Sequence, residues 1–198
     1  MARLLTFEPE GHTYELDGEE LPSVSELTRF ISREIYSEIN QSVLDCAADR
    51  GTRIHKVTEC LDRYGDAEAD DDILPYIEAY IKFRNEHTVS WEHIEKAMYN
   101  PELMYAMTID RYGEMNGKKI LLDIKSSSQI QTVAVTAQLT LYKMGLESNG
   151  IPVDEMYVLR VAKDGKYQFK KIEPDYELAN ACICLHNRLK KKRRKKKE

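Results

Sequence analysis

The sequence predicts an α/β domain, a mixed β-sheet flanked by α-helices. Three observations carry this. The hydrophobic period is helical over the first part of the chain and becomes strand-like from Ser90 onward. The order of elements is helices, a run of strands, one helix, two strands and a last helix, which suits a single sheet covered by helices. Asn116-Gly117 and Asp164-Gly165 stand between strand segments, where a tight hairpin needs residues that tolerate positive φ.

Each element has its own justification. His12 to Pro22 reads as a short hairpin around Asp17-Gly18. Ser23 is an N-cap with Glu26 as its capping-box partner, opening a helix over Val24 to Ile31. A second helix begins near Ser42 and carries Ala47, Ile54, Val57 and Leu61. Gly51 interrupts it at a cost of ~1 kcal/mol relative to alanine; a close backbone contact or a break near the helix start would account for it. Gly65 and Asp66 end this stretch, Glu68 to Asp72 is a solvated acidic loop, and Ile73 to Glu86 is an amphipathic helix. Ile94 to Tyr99, Leu103 to Tyr112 and Lys118 to Lys125 are strands. Thr132 to Leu146 is a helix stopped by Asn149-Gly150. Met156 to Ala162 and Tyr167 to Ile172 form a hairpin, and Pro174 begins the closing helix. No internal repeat is present.

The 198 residues suit one domain, over residues 1–188, with a basic disordered tail at 189–198. Hydrophobic residues at 42% and charged residues at 32% fit a globular chain. No apolar run approaches the ~18 residues of a membrane-spanning helix, and Met1 to Gly11 lacks the apolar stretch of a secretory signal. The expectation is a cytoplasmic protein without membrane association. Cys46, Cys60, Cys182 and Cys184 read as reduced thiols, since Cys182-x-Cys184 lacks the second half of a metal site. Of the net charge of −5, Lys190 to Lys197 contribute eight positive charges and Glu198 one negative, leaving residues 1–189 at −12. Such a body is unlike a passive DNA-coating protein. It fits a site that gathers carboxylates around a cation, with a tail that attracts a polyanion.

A two-residue turn at Asn116-Gly117 places Met115 opposite Lys118, and the same register sets Asp110 opposite Asp123 with Cβ atoms ~5 Å apart. Lys125, two residues on, shares the face of Asp123. Two ionised carboxylates so close require either a shared proton or a cation between them. Hard oxygen ligands on a hairpin suit magnesium or manganese. The plainer alternative is a salt bridge between Lys125 and either aspartate.

These residues resemble a known family. Asp110 followed by Asp123-Ile124-Lys125 resembles the core of the PD-(D/E)XK nuclease superfamily, with Ile109 in the place of the name-giving proline. Gly51-Thr52-x-x-His55-x-x-x-Glu59 resembles the Gly-x-x-His-x-x-x-Glu helix of RecB-type nucleases, and Gln138-x-x-x-Tyr142 resembles their Gln-x-x-x-Tyr signature. His12-x-Tyr14 with Pro22-Ser23-Val24-Ser25 resembles the opening of phage-type and mitochondrial genome-maintenance exonucleases. The pieces occur in the family's order and span about residues 12–142.

The resemblance implies a restriction-endonuclease-like fold and a divalent-metal-dependent DNA nuclease, an exonuclease sooner than an endonuclease. It would serve recombination, repair or replication in a bacterial or phage-infected cell, with a single-strand annealing protein as a partner. Mg2+ or Mn2+ would be held by His55, Asp110, Asp123 and the Ile124 carbonyl, with Lys125 completing the catalytic set of Asp110, Asp123 and Lys125. Glu59 would ligate through water or orient His55; Gln138 and Tyr142 would contact DNA or steady the site. Branches with an iron–sulfur cluster use one upstream and three clustered downstream cysteines; Cys182 and Cys184 fall short of that pattern, so no iron–sulfur cluster is expected. Ser126, Ser127 and Ser128 offer hydroxyls and amides to a phosphate, or are only a loop. Lys190, Lys191, Lys192, Arg193 and Arg194 would add salt-sensitive DNA affinity, although the run also looks like a nuclear localisation signal. Rival readings are a catalytically silent DNA-binding accessory module, a metal-dependent hydrolase of nucleotides or small phosphates, and a structural protein whose acidic hairpin binds nothing.

Overall fold

The computed structural model describes residues 3–8, 11 and 13–194. Strands β1 (Leu5–Glu8), β2 (Thr13–Leu16) and β3 (Glu19–Leu21) form a small antiparallel sheet. Helices α1 (Val24–Leu27), α2 (Arg29–Ile35), α3 (Gln41–Tyr64) and α4 (Leu74–Glu86) follow. Strands β4 (Ser90–Asn100), β5 (Tyr105–Met115), β6 (Lys118–Lys125), β7 (Glu155–Val161) and β8 (Tyr167–Ile172) make a second sheet in that order. Helix α5 (Thr132–Glu147) connects β6 to β7, the parallel pair of an otherwise antiparallel sheet, and α6 (Tyr176–Arg194) closes the chain. This is the mixed sheet flanked by helices that the element order predicts.

Two of the three predicted hairpins turn on left-handed pairs: Asp17 and Gly18 at φ 54° and 83°, Asn116 and Gly117 at 53° and 74°. The first is reinforced because the Asp17 carboxylate accepts from the Leu4 N–H at 2.9 Å and from Arg3 Nε at 2.8 Å, tying in β1, a strand the sequence does not announce. The second sets Met115 opposite Lys118 and runs in register to Arg111 opposite Leu122. The ladder then stops one pair short of Asp110 and Asp123.

The Ser23 capping box forms: Ser23 Oγ accepts from the Glu26 N–H and Glu26 Oε2 from the Ser23 N–H, both at 3.1 Å. The helix does not run unbroken to Ile31 as predicted. Thr28 caps α1 with its hydroxyl bonded to the Val24 carbonyl at 3.0 Å, a local bond that competes with helix continuation, and α2 resumes at Arg29. Helix α3 passes through Gly51 without a break. A Cβ there would lie 3.8 Å from Ser126 Oγ, an ordinary contact, so neither the break nor the close backbone contact expected from the sequence accounts for the glycine. The disordered tail expected from residue 189 is corrected for 189–194, which are helical. Lysine and arginine are good helix formers, and cations favour a helix C-terminus. Residues 195–198 and the side chains of Lys192, Arg193 and Arg194 lie outside the described residues, as does His12.

Strand β6 is covered on both faces. Leu121 packs with Met156, Val158 and the α5 residues Val135 and Leu139. Leu122 and Ile124 pack with Leu159, Val161, Ile54 of α3 and the α4 residues Ile77, Tyr80 and Phe83. An interior strand of this kind holds its carboxyl end rigidly, and that end carries Asp123 and Lys125. Among the described residues no helix is long and apolar enough to cross a membrane.

Gly113 of β5 is a further constraint. A Cβ there would stand 2.1 Å from the Ser90 carbonyl oxygen and 2.8 Å from the Trp91 Cα, both backbone atoms that cannot turn aside. Gly113→Ala is expected to cost about 1–3 kcal/mol or more, lowering the melting temperature by roughly 2–12 °C; a thermal melt unchanged within a degree would contradict this packing.

Candidate active site

The first predicted residue, His55, lies one turn beyond Gly51 on α3 and faces the carboxyl end of β6. Its Nε2 is 3.2 Å from the Ile124 carbonyl oxygen and 3.8 Å from Asp110 Oδ2. Its Nδ1 is 2.9 Å from Oε1 of Glu95 on β4. Asp110, at the point where β5 parts from β6, accepts from the Ile124 N–H at 2.7 Å through Oδ2. Its side chain thus replaces the backbone acceptor a continued ladder would provide, which is why the predicted Asp110–Asp123 pairing is not formed as a ladder step.

Asp123 is 1% exposed. Its Oδ1 accepts from Lys125 Nζ and from Gln138 Nε2, each at 2.9 Å. Gln138, on α5, also accepts from Lys125 Nζ at 3.1 Å and donates to the Tyr142 hydroxyl at 2.9 Å. The salt bridge offered as the plainer alternative therefore exists, between Lys125 and Asp123, but it satisfies only one oxygen. Asp123 Oδ2 is buried with no hydrogen-bond partner among the described residues. An unpaired buried carboxylate oxygen is costly and calls for a ligand.

The electrostatics point the same way. Burial pushes the Asp110 and Asp123 carboxyls up; Glu95 adds to the rise at Asp110 and Asp110 to that at Asp123, against the pull of His55 and Lys125. Burial alone would lower the His55 imidazole, yet Asp110 and the Glu95 hydrogen bond outweigh it and hold it at about 9. Burial would lower Lys125 too, but Asp123 and Asp110 raise it. The recess is short of positive charge.

The donor set fits a hard divalent ion. Adjacent corners of an octahedron with ~2.1 Å bonds are about 3.0 Å apart, close to the 3.2 Å between His55 Nε2 and the Ile124 oxygen. His55, Glu95 and Asp110 form a group whose ligand atoms all lie within 4.8 Å of one another. Glu95 is already engaged by Arg111 at 2.9 Å; Asp123, whose Oδ2 has no hydrogen-bond partner among the described residues, is not a member of that group.

The remaining predicted residues divide. Tyr14, Ser23, Gly51, Glu59 and Tyr142 border, with His55, Asp110 and Lys125, one cavity of about 780 Å³, so the separate motif pieces meet there. Tyr14 is placed by its hydroxyl, 2.8 Å from Thr108 Oγ1. Glu59 does not orient His55: it accepts from Arg63 Nε at 2.7 Å, one helical turn away, and Glu95 occupies the His55 ring instead. Ser126 flanks Gly51, Ser127 Oγ caps the Gln129 carbonyl at 2.8 Å, and Ser128 is exposed. Lys190 lines a different cleft, with Arg29, Arg33 and His186, and Lys191 is exposed. The described basic residues of α6 thus sit apart from the cavity.

Two residues escaped the sequence reading, Glu95 and Arg111. Arg111 is fully buried, with Nε 2.6 Å from Asp62 Oδ2 and Nη2 3.1 Å from Thr58 Oγ1. An arginine between Ile109 and Tyr112 in an apolar strand was the available signal, because a buried guanidinium needs carboxylates.

No family model matches the chain, and no curated protein sequence matches it. Solved structures do. The alkaline exonuclease LHK-Exo from Laribacter hongkongensis is 14% identical over 71% of this chain and 84% of its own, with a TM-score of 0.39; in complex with dAMP the values are 12%, 88%, 94% and 0.43. The crystal structure of SSO0001 is 18% identical over 83% of this chain and 75% of its own, at 0.41. A phage-related exonuclease from Haemophilus somnus 129PT is 11% identical over 87% and 96%, at 0.39. The functional reading rests on the site's own chemistry.

Proposed function

We propose that the chain is a divalent-metal-dependent DNA nuclease of the PD-(D/E)XK type, acting as an exonuclease. The observation that carries this is the orphaned Asp123 Oδ2, buried beside Lys125, at a β6 end where Asp110, His55 Nε2 and the Ile124 carbonyl converge. His55, Asp110, Asp123 and the Ile124 carbonyl would hold Mg2+ or Mn2+. Bound there, the ion supplies a water of lowered pKa and neutralises phosphate charge.

The chain's own groups do the rest. Lys125 keeps its ammonium at the cavity wall, steadied by Asp123 Oδ1 and Gln138 Oε1. From there it donates to the attacking water or to the phosphate oxygen on which charge develops. Gln138 and Tyr142 hold Lys125 and Asp123 in place. The exonuclease half of the reading, and the annealing partner, rest on the motif resemblance.

The test compares end-labelled linear DNA with a closed circle, each with Mg2+, Mn2+ or EDTA. Hydrolysis of the linear form, a spared circle and arrest by EDTA are expected. No hydrolysis of either form with either ion would leave a silent DNA-binding module instead.

A further inference from the structure

Glu95 stands where the regular β4–β5 ladder fails. Ile94 pairs with Arg111 and Lys96 with Ile109, so Glu95 and Asp110 between them are left out of the pairing. Glu95 has φ 44°, a left-handed backbone that a side-chain-bearing residue adopts only under strain. Its Oε1 contacts His55 Nδ1 and Arg111 Nη1, both at 2.9 Å. Arg111 is itself immobilised: Nη1 also donates to the Asp110 carbonyl at 2.7 Å, and its other nitrogens reach Asp62 and Thr58 on α3. The strain is thus spent on aiming one carboxylate at one imidazole nitrogen.

We infer that Glu95 is the positioning residue of His55, fixing the ring with Nδ1–H toward Glu95 and Nε2 toward the Ile124 carbonyl and Asp110, and so setting divalent-ion affinity. The inference rests on the nuclease reading for the ion it concerns. The opposite tautomer would place a hydrogen on Nε2 and leave no lone pair for a metal. A carboxylate on the far ring nitrogen also makes the ligating nitrogen more basic. Because Arg111 already balances its charge, Glu95 acts through His55 rather than as a ligand.

A double-mutant cycle read by calorimetric Mn2+ titration of the full chain separates these roles. Glu95→Gln should weaken Mn2+ binding by about 10–100-fold, whereas in a His55→Ala background the same change should have no further effect. Glu95→Asp, which keeps the charge for Arg111 but withdraws the carboxylate from His55, should weaken binding as well and covers the case in which Glu95→Gln does not fold. A wild-type affinity in Glu95→Gln overturns the inference. So does an equal loss in both backgrounds, which marks a direct ligand or a purely structural residue. Absence of Mn2+ binding by the wild type overturns the metal reading together with the inference, while wild-type binding with an indifferent Glu95 overturns the inference alone.

Discussion

Lys125→Ala should reduce phosphodiester hydrolysis by at least about 100-fold, the loss that follows removal of one preorganised group from a developing oxyanion. The ammonium is held by Asp123 and Gln138 at the cavity wall, and the buried Arg111 cannot take its place, because its guanidinium is engaged by Asp62, Thr58 and Glu95. The Lys125 side chain is 29% exposed, and Asp123 keeps the Gln138 bond after its removal. Destabilisation should therefore stay near the 1.5–3 kcal/mol that a charged hydrogen bond contributes, roughly 3–12 °C in melting temperature. DNA binding should persist, because the ion ligands are untouched. Asp123→Ala differs: it removes both the bond to Lys125 and the unpaired Oδ2, so Mn2+ binding should fall with the activity. Nuclease rates on linear DNA, with a melt and a Mn2+ titration of each variant, distinguish the two. Wild-type rates in Lys125→Ala would remove the catalytic assignment.

Arg111→Met should be the most destabilising single change near the site. The guanidinium is wholly buried between Asp62 and Glu95, whose side chains are 0% and 19% exposed. Methionine fills part of the volume but leaves both carboxylates short of a cation, a loss of about 3–5 kcal/mol for a broken buried pair. For a chain of this size that corresponds to a fall of roughly 6–20 °C in melting temperature. Asp62 keeps the Tyr80 hydroxyl at 2.5 Å and Arg84 at 3.2 Å, so combining Arg111→Met with Asp62→Asn should recover part of the loss. The shift should also be nearly independent of salt, since enclosed pairs are weakly screened. A melt within two or three degrees of wild type would show that the network is not what braces β5 against α3.

Much of the candidate site was legible because its determinants are local. Asn116-Gly117 sets the register that brings Asp110 and Asp123 to the same end of β5 and β6, since a two-residue turn leaves no freedom in pairing. Helical spacing placed His55 and Glu59 on one face, and Gln138 and Tyr142 on another. The same spacing could not say which acid serves His55. Glu59 is drawn off by Arg63, four residues along its own helix, and Glu95 arrives from a strand 40 residues away. Glu95 reaches the ring through an irregularity in β4, and no residue in Ile94 to Lys96 advertises a left-handed backbone. The last ladder step failed for a related reason: a side-chain acceptor, Asp110 Oδ2, captured an N–H that pattern reasoning assigns to backbone.

By itself, then, the amino-acid order determined most of the elements, the hairpin register and the acids and imidazole gathered at the end of β6, because turn chemistry and side-chain period act over a few residues. Only the folded chain decided that one oxygen of Asp123 stays without a partner, that Glu95 and not Glu59 meets the imidazole, and that Arg111 is sealed between α3 and β5. Those outcomes depend on which distant groups compete for the same buried charge, and that competition is resolved by packing in three dimensions.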